Sequence, residues 1–503
     1  MSTAKSYGQI LKAASVMGGA ASINLLLGMV RVKFAAVFIG TIGVGLIANF
    51  TALQGFVGTL AGLGLQSSAV REIAAAVAKG DHNAVGRAVL TLRRLCWLTG
   101  FAGMSAMVVL SPFIGQLTMG HRDHAFDIAA LGFVILFGNL AGGQLALIQG
   151  MRRIGDMARA NVFGAACGTL AAIGFYTTLG QRGIIPALIT ISGGQLALSF
   201  YFARRVPVPK VSLTWRETYD EAGGMVRLGL VMMWSGLMGS GVTYLTVALI
   251  TRQEGTQAVG LYSGAAFALS GVFVNFVLGA MGADYYPRLT AVASDKLASV
   301  RMVNEQTEVG LLLALPGLLA TLALAPWIVQ VFYTDEFRGA VELLQWFILG
   351  CLGRVISWPL GFVMLAQAKG RWYVLTETSF NFLHVAFVAL ALQLYGVVGV
   401  AIAFVVMYLG YIVGVHQVSR RLIDFTWSTE CLRLGALTVA VLCLVFIASR
   451  VLPLWASTWL GLSFTLIVSV LCLRGLVARG GSEHRIVSAV TRLPGGKFFI
   501  SAH

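Results

Sequence analysis

Fourteen stretches of roughly twenty or more predominantly apolar residues follow one another along the chain, at 9–39, 44–70, 88–110, 126–149, 158–179, 184–205, 227–250, 257–282, 306–330, 340–365, 372–393, 397–419, 433–450 and 455–475. Each is long enough to cross a hydrocarbon layer about 30 Å thick as a helix. Backbone in lipid has no water to bond with, so it must be helical or belong to a closed barrel. The period-two alternation of a barrel is missing, so the expected fold class is an all-α polytopic membrane protein of about 14 transmembrane helices. Composition agrees, with 57% hydrophobic and only 11% charged residues in 503, where a soluble domain carries about 25% charged.

The net charge of +16 does not call for a nucleic acid, because a multi-span protein gathers Lys and Arg in its cytoplasmic links. With a cytoplasmic N-terminus, one side collects Arg152-Arg153 with Arg159, Arg204-Arg205 with Lys210, Lys369 with Arg371, and Arg420-Arg421, while the other keeps Arg122, Arg182, Arg252, Arg338 and Arg450. Both termini are therefore expected in the cytoplasm. The polar start, Met1 to Leu11, runs into the first span without a cleavage-site pattern and reads as a retained anchor. Cys96, Cys167, Cys351, Cys431, Cys443 and Cys472 show no ligand spacing and read as small hydrophobes.

The chain repeats itself. Gly40-Thr41-Ile42-Gly43-Val44-Gly45-Leu46 opens the second span and Gly255-Thr256-Gln257-Ala258-Val259-Gly260-Leu261 the eighth. Gly183-Ile184-Ile185 is echoed by Gly396-Val397-Val398, and Arg204-Arg205 by Arg420-Arg421, at nearly the same spacing. Six spans per half is an even number, so the halves are expected to be parallel repeats about an axis along the membrane normal, with a substrate site where they meet. The expected division is an N-terminal six-helix lobe over 1–210, a C-terminal six-helix lobe over 211–425, and a two-helix hairpin with a basic cytoplasmic tail over 426–503.

Within the spans, three basic residues stand out: Arg31, Lys33 and Arg354. A cation at the centre of a membrane helix costs about 2.5–3.5 kcal/mol on insertion scales, so such residues usually face a polar path. Arg31 and Lys33 lie about 200° apart around a helix and cannot both face one cavity; one lines the path while the other packs or snorkels. Arg354 lies deep in the tenth span, where Pro359 is expected to break the helix. Arginine suits bidentate phosphate binding and lysine serves as a point charge, so two centres, one per half, can grip a pyrophosphate. Glu377 is the acid placed clearly inside a span, and it either bridges Arg354 structurally or, on taking a proton or cation, frees Arg354 for substrate. Asn24, Asn49, Gln54, Gln66, Asn139, Gln144, Asn275 and Asn381 can bond sugar hydroxyls or stitch helices together. His121, Asp123 and His124 share one outer link at a spacing that also fits a solvated loop, and His384 fits a packing role. No paired carboxylates, metal site or activated nucleophile emerges, so neither a catalytic residue nor a metal is expected. No P-loop appears, so direct use of ATP is not expected.

The stretch from Gly40 through Phe50, ending Val44-Gly45-Leu46-Ile47-Ala48-Asn49-Phe50, with Tyr286-Pro287-Arg288-Leu289 and the segment from Phe337 to Glu377 holding Trp346, Gly350, Gly361, Arg371 and Tyr373, resembles Wzx-type polysaccharide flippases, especially those moving enterobacterial common antigen precursor. The resemblance covers about residues 1–425 and places the chain in the multidrug/oligosaccharidyl-lipid/polysaccharide (MOP) exporter superfamily. It implies two six-helix lobes working by alternating access, and a flippase that moves an undecaprenyl-pyrophosphate-linked oligosaccharide, an O-antigen or exopolysaccharide repeat unit, across the bacterial inner membrane. Lys33, Arg354 and Glu377 fall where that family tends to carry a basic, a basic and an acidic residue, while Arg31 matches less well and Cys351 stands where an acid occurs in some relatives. The substrate-binding set expected is thus Arg354, Lys33, Arg31 and Asn49, with Glu377 in coupling. No cofactor is implied beyond Na+ or H+ as coupling ion; the implied partners are membrane lipids and the polysaccharide polymerase and chain-length machinery, without nucleic acid. Competing readings are a murein-precursor flippase, a drug/cation antiporter, which needs cavity carboxylates that this chain hardly has, and a membrane polymerase or ligase, which needs a large periplasmic loop.

Overall fold

The computed structural model describes residues 3–209 and 211–480, with side chains from Val16 onward except at 276, 280, 283 and 480. Lys210, residues 1–2 and the basic tail over 481–503 lie outside the described residues. All regular structure among the described residues is helical, as the apolar spans require. Among the described residues, ten helical stretches are long and apolar enough to cross a membrane, and the protein is a multi-pass membrane protein.

Four of those ten stretches hold 47 to 65 residues, about 70 Å or more at 1.5 Å per residue, more than twice the hydrocarbon thickness. Each is interrupted by glycine. Helix α1 (Thr3–Gly62) breaks at Gly40, with φ 66° and ψ −170°. Between α5 (Ile154–Leu179) and α6 (Ile184–Ala203), a tight turn over Gly180–Gly183 starts with φ 57° at Gly180. Helix α7 (Trp215–Val259) breaks at Gly255, with φ 83° and ψ 171°. The break in α12 (Gly370–Ile423) falls at Gly396, with φ 58° and ψ −150°. Such backbone is essentially reserved for glycine, and Gly40, Gly255 and Gly396 are glycines at which the repeated motifs begin, while Gly180 lies three residues before Gly183, where its motif opens.

The two copies of the seven-residue motif also pack on each other. A Cβ on Gly45 would lie 2.0 Å from the Thr256 carbonyl oxygen, and a Cβ on Gly260 2.2 Å from the Thr41 carbonyl oxygen. The sixth residue of each copy thus meets the second residue of the other, the reciprocal pattern of a two-fold contact.

The remaining elements are α2 (Leu65–Lys79), α3 (His82–Met119), α4 (Ala125–Gly150), α8 (Ala268–Ala291), α9 (Lys296–Ala323), α10 (Ala325–Phe332), α11 (Ala340–Ala366), α13 (Thr429–Val451) and α14 (Leu454–Gly480). The stretch expected as one span over 44–70 is divided, because Leu63 and Gly64 turn the chain at φ 47° and 64° and α2 starts afresh. Pro359 does not break its helix: α11 runs through it to Ala366. The one missing bond, which the Pro359 nitrogen cannot donate to the Val355 carbonyl, is tolerated where neighbours hold the helix; Tyr285 Oη separately anchors α11 here, donating to the Pro359 carbonyl at 3.0 Å. Several helices start on a side-chain cap that satisfies their first amides: Asp81 for α3, Thr214 with Glu217 for α7, Asp295 for α9 and Ser428 for α13.

The chain packs as two compact units. One runs to Gly260 and takes in Phe332–Glu336; in it α1 packs on α5 and α7, α3 on α4, and α6 on α4 and α5, around Leu65, Ile73, Leu92, Leu147 and Met225. The other holds Leu261–Val331 and continues from Phe337; there α11 packs on α12, and α9 carries the helical hairpin α13–α14. Trp327 Nε1 ties that hairpin to the unit through Thr458 Oγ1 at 3.1 Å, and Arg450 does so through Glu342 at 2.8 Å.

Two measurements follow. Gly255 has nothing within 4 Å of an added Cβ, so Gly255→Ala isolates the backbone cost, about 1–3 kcal/mol. Its apparent melting temperature in detergent is expected to fall by several degrees, whereas Gly174→Ala, helical and equally open, leaves it level or raises it. At the start of α4, a hydrogen bond with Asp127 at 2.7 Å raises the His124 imidazole above its ordinary pKa, helped by the charges of Asp127 and Asp123. A raised histidine stabilises the fold fully below its unfolded value, about 6.5, and that contribution is lost as pH rises through the folded value. The melting temperature difference between wild type and Asp127→Asn should therefore be largest at acid pH and fade toward alkaline pH.

Candidate functional site

The unit built from α8–α9 and α11–α14 holds a cavity of about 300 Å³ lined by Arg354, Trp358, Glu377, Asn381, Tyr408 and Tyr411, among others. Helices α11 and α12 supply its lining. Arg354 is fourteen residues into α11 and twelve from its end, about 20 Å from either terminus. Gly350 and Gly353 of the same helix admit Phe404 and Tyr408, since a Cβ at either position would come within 3 Å of those side chains. The aromatic half of α12, after the Gly396 break, is thereby drawn against the half of α11 that carries Arg354.

Arg354 and Glu377 line the same cavity, yet no ion pair joins them among the described residues. Glu377 Oε1 instead accepts from Tyr411 Oη at 2.5 Å, and Asn381 Nδ2 donates to the Glu377 carbonyl at 2.7 Å. Phe380 packs edge-on against the Tyr411 ring at 5.1 Å, which holds the hydroxyl in place. The half-buried Arg354 guanidinium makes neither a hydrogen bond nor an ion pair with any described residue. The structural bridge between Arg354 and Glu377 is not formed, and the cation faces the cavity with its five donors open. Such a site can take a bidentate oxyanion. His384 lines the cavity too, its ring 6.0 Å from that of Phe404.

Arg31, Lys33 and Asn49 belong to the other unit and do not line this cavity. Lys33 Nζ donates to the Tyr333 carbonyl at 2.7 Å, so the ammonium reaches a backbone oxygen of the Phe332–Glu336 segment. Glu336 of that segment accepts from the Thr41 amide at 3.2 Å, where a carboxylate meets the positive start of the helix that follows Gly40. Arg31 lies instead within electrostatic reach of Tyr176 in α5, so the two α1 cations diverge as their spacing requires. Asn49 is 1% exposed; its amide donates to the Gly45 carbonyl at 3.1 Å and its oxygen accepts from Thr251 at 2.9 Å. It fastens α1 to α7. The link residues His121 and Asp123 approach to 3.4 Å, and no group of three or more metal-type ligands exists among the described residues.

Tyr408 and Tyr411 are the site residues that sequence reasoning passed over. They stand one turn apart in an apolar run, and a hydropathy window counts tyrosine as hydrophobic. The detectable signal was two hydroxyls at i and i+3 on one helix face.

Comparison with known proteins comes out on the same side. The family model described as polysaccharide biosynthesis protein matches residues 38–342. The lipid III flippases of Escherichia coli (strain K12) and Shigella flexneri are each 24% identical over 400 residues, 76% of this chain and 92% of theirs. Among solved structures, the lipid II flippase MurJ in an inward closed conformation superposes with a TM-score of 0.66 at 15% identity, over 92% of this chain and 99% of that one. An inward-facing multidrug resistance MATE family transporter of the MOP superfamily also gives 0.66 at 15% identity, over 80% of this chain and 94% of its own. With a match over more than half of its length, the chain belongs to the polysaccharide biosynthesis protein family and has the fold of the MOP superfamily transporters.

Proposed function

We propose that the protein is a flippase that carries an undecaprenyl-pyrophosphate-linked oligosaccharide, an O-antigen or exopolysaccharide repeat unit, across the bacterial inner membrane by alternating access. The observation that carries the proposal is Arg354: a cation about 20 Å from either helix end, facing a cavity, with no acceptor among the described residues. A pyrophosphate supplies the missing acceptor and offsets the ~3 kcal/mol that such a cation costs in a membrane. The curated relatives named above are flippases of a lipid-linked substrate, and they are transporters rather than enzymes.

In the proposed cycle the prenyl tail stays in lipid while the head group enters, and Glu377 couples the movement to Na+ or H+. The Tyr411 bond holds the carboxylate away from Arg354, and a change in its charge alters the field at the guanidinium. Lys33 acts as the second basic centre, its ammonium passing from the Tyr333 carbonyl to substrate; Arg31 adds to the field and Asn49 positions the helices around them. Each glycine-interrupted stretch crosses the membrane twice, which makes fourteen spans: two six-helix lobes and the α13–α14 hairpin, both termini in the cytoplasm. Polymerase and chain-length proteins take up the product.

Proteoliposomes loaded with a defined prenyl-pyrophosphate oligosaccharide test this. Wild type should translocate it; Arg354→Ala should slow it at least tenfold, since a charge-assisted hydrogen bond is worth about 1.5–3 kcal/mol, and Lys33→Ala should slow it as well. Unchanged rates in both would overturn the site, and an inert wild type the function. Glu377→Gln should flatten the dependence on pH or sodium; a profile identical to wild type sinks the coupling role.

A further inference from the structure

The unit that contains α1–α7 has a cavity of its own, about 420 Å³, unlike the one around Arg354. Not one of its lining residues is charged; Gln54, Thr59, Gln66, Ser67 and Asn139 face it across a floor of bare glycines. On α1 the lining recurs at helical spacing, Gln54, Gly58 and Gly62 beside Gly55 and Thr59. The residues between them, Leu53, Phe56, Val57 and Leu60, line a separate apolar cavity. One helix therefore sorts amides to one side and hydrocarbon to the other.

The amides are also held ready. Asn139 Nδ2 donates to the Ala61 carbonyl at 3.2 Å and to Thr99 Oγ1 at 3.1 Å. Those bonds fix the orientation of its carboxamide, whose oxygen lies 3.5 Å from the Cβ position of Gly62 on the cavity lining. Gln66 lies against Gly142, where a Cβ would come within 1.8 Å of its Nε2, so the glycine is what lets the amide sit there. Neither Gln54 nor Gln66 makes a side-chain hydrogen bond with any described residue. A carboxamide both donates and accepts, as a sugar hydroxyl does, and an uncharged lining gives an anion no counter-charge.

We infer that this cavity is a subsite for an uncharged sugar of the substrate, separate from the cationic cavity that takes the anionic link. The inference rests on the flippase proposal and adds to it a division of labour between two cavities of opposite chemistry.

The experiment compares two lipids on the full-length protein in nanodiscs: undecaprenyl pyrophosphate bare, and the same lipid bearing diacetylchitobiose as a neutral disaccharide. Wild type should bind the glycosylated lipid at least tenfold more tightly. Gln54→Leu, which removes an amide without an internal partner, should cut that ratio severalfold. Gly138→Leu should bring it near one by filling the cavity, since a Cβ there meets nothing within 4 Å and leucine favours the helix. Arg354→Ala should weaken both lipids and keep the ratio. Equal affinities in wild type, or a ratio retained in both cavity variants, overturn the subsite while leaving the flippase standing. If neither lipid binds wild type, the flippase proposal itself fails.

Discussion

Backbone polar groups in hydrocarbon have no water to turn to, so each must be paired inside its own helix. That constraint decides both where this chain is helical and where it is allowed to stop. A helix can break inside an apolar stretch only where the freed groups find partners and the backbone can reverse. The breaks at Gly40, Gly180, Gly255 and Gly396 meet the second condition with φ values of 57–83°. At the Gly40 break, Glu336 meets the first by accepting from the amide of Thr41. The same motif then serves packing: Gly45 and Gly260 each press a bare Cα against the partner copy's carbonyl. Without a solvent-driven force between helices in lipid, such close approach is what holds them.

Much of this was legible in the residues. The apolar windows gave the helices, the seven-residue echo marked the places where the backbone turns over, and Arg354 and Glu377 stood out because charges are rare in spans. What was not legible depends on contacts distant in sequence. Pro359 reads as a breaker from local chemistry, yet α11 passes through it because neighbours hold the chain, Tyr285 anchoring the helix at that point. Asn49 reads equally as ligand or as fastener until Thr251, some two hundred residues away, is seen to donate to it. Gln54 and Gln66 look like Asn49 in sequence and end up opposite to it in bonding. Tyr411 was hidden by its own hydrophobicity.

The two polar cavities differ in the physics available to them. An uncharged amide left open costs little in a wet cavity and gains about 1 kcal/mol per bond when a hydroxyl arrives, so recognition there is cumulative and geometric. A guanidinium in a low-dielectric setting interacts far more strongly with any nearby charge, so the cavity around Arg354 is governed by what stands next to that one group. This is why the Glu377 partner matters. Had the carboxylate closed on Arg354, the pair would be neutral, and an incoming anion would first have to displace a buried ion pair, whose breaking costs about 3–5 kcal/mol.

Tyr411 changes that balance. By donating to Glu377 at 2.5 Å, it gives the carboxylate a neutral partner and leaves Arg354 uncommitted. Both groups line one cavity, yet among the described residues the acid makes no ion pair with the guanidinium. The tyrosine hydroxyl, which adds no charge of its own, thus takes the carboxylate's bond while the guanidinium faces the cavity.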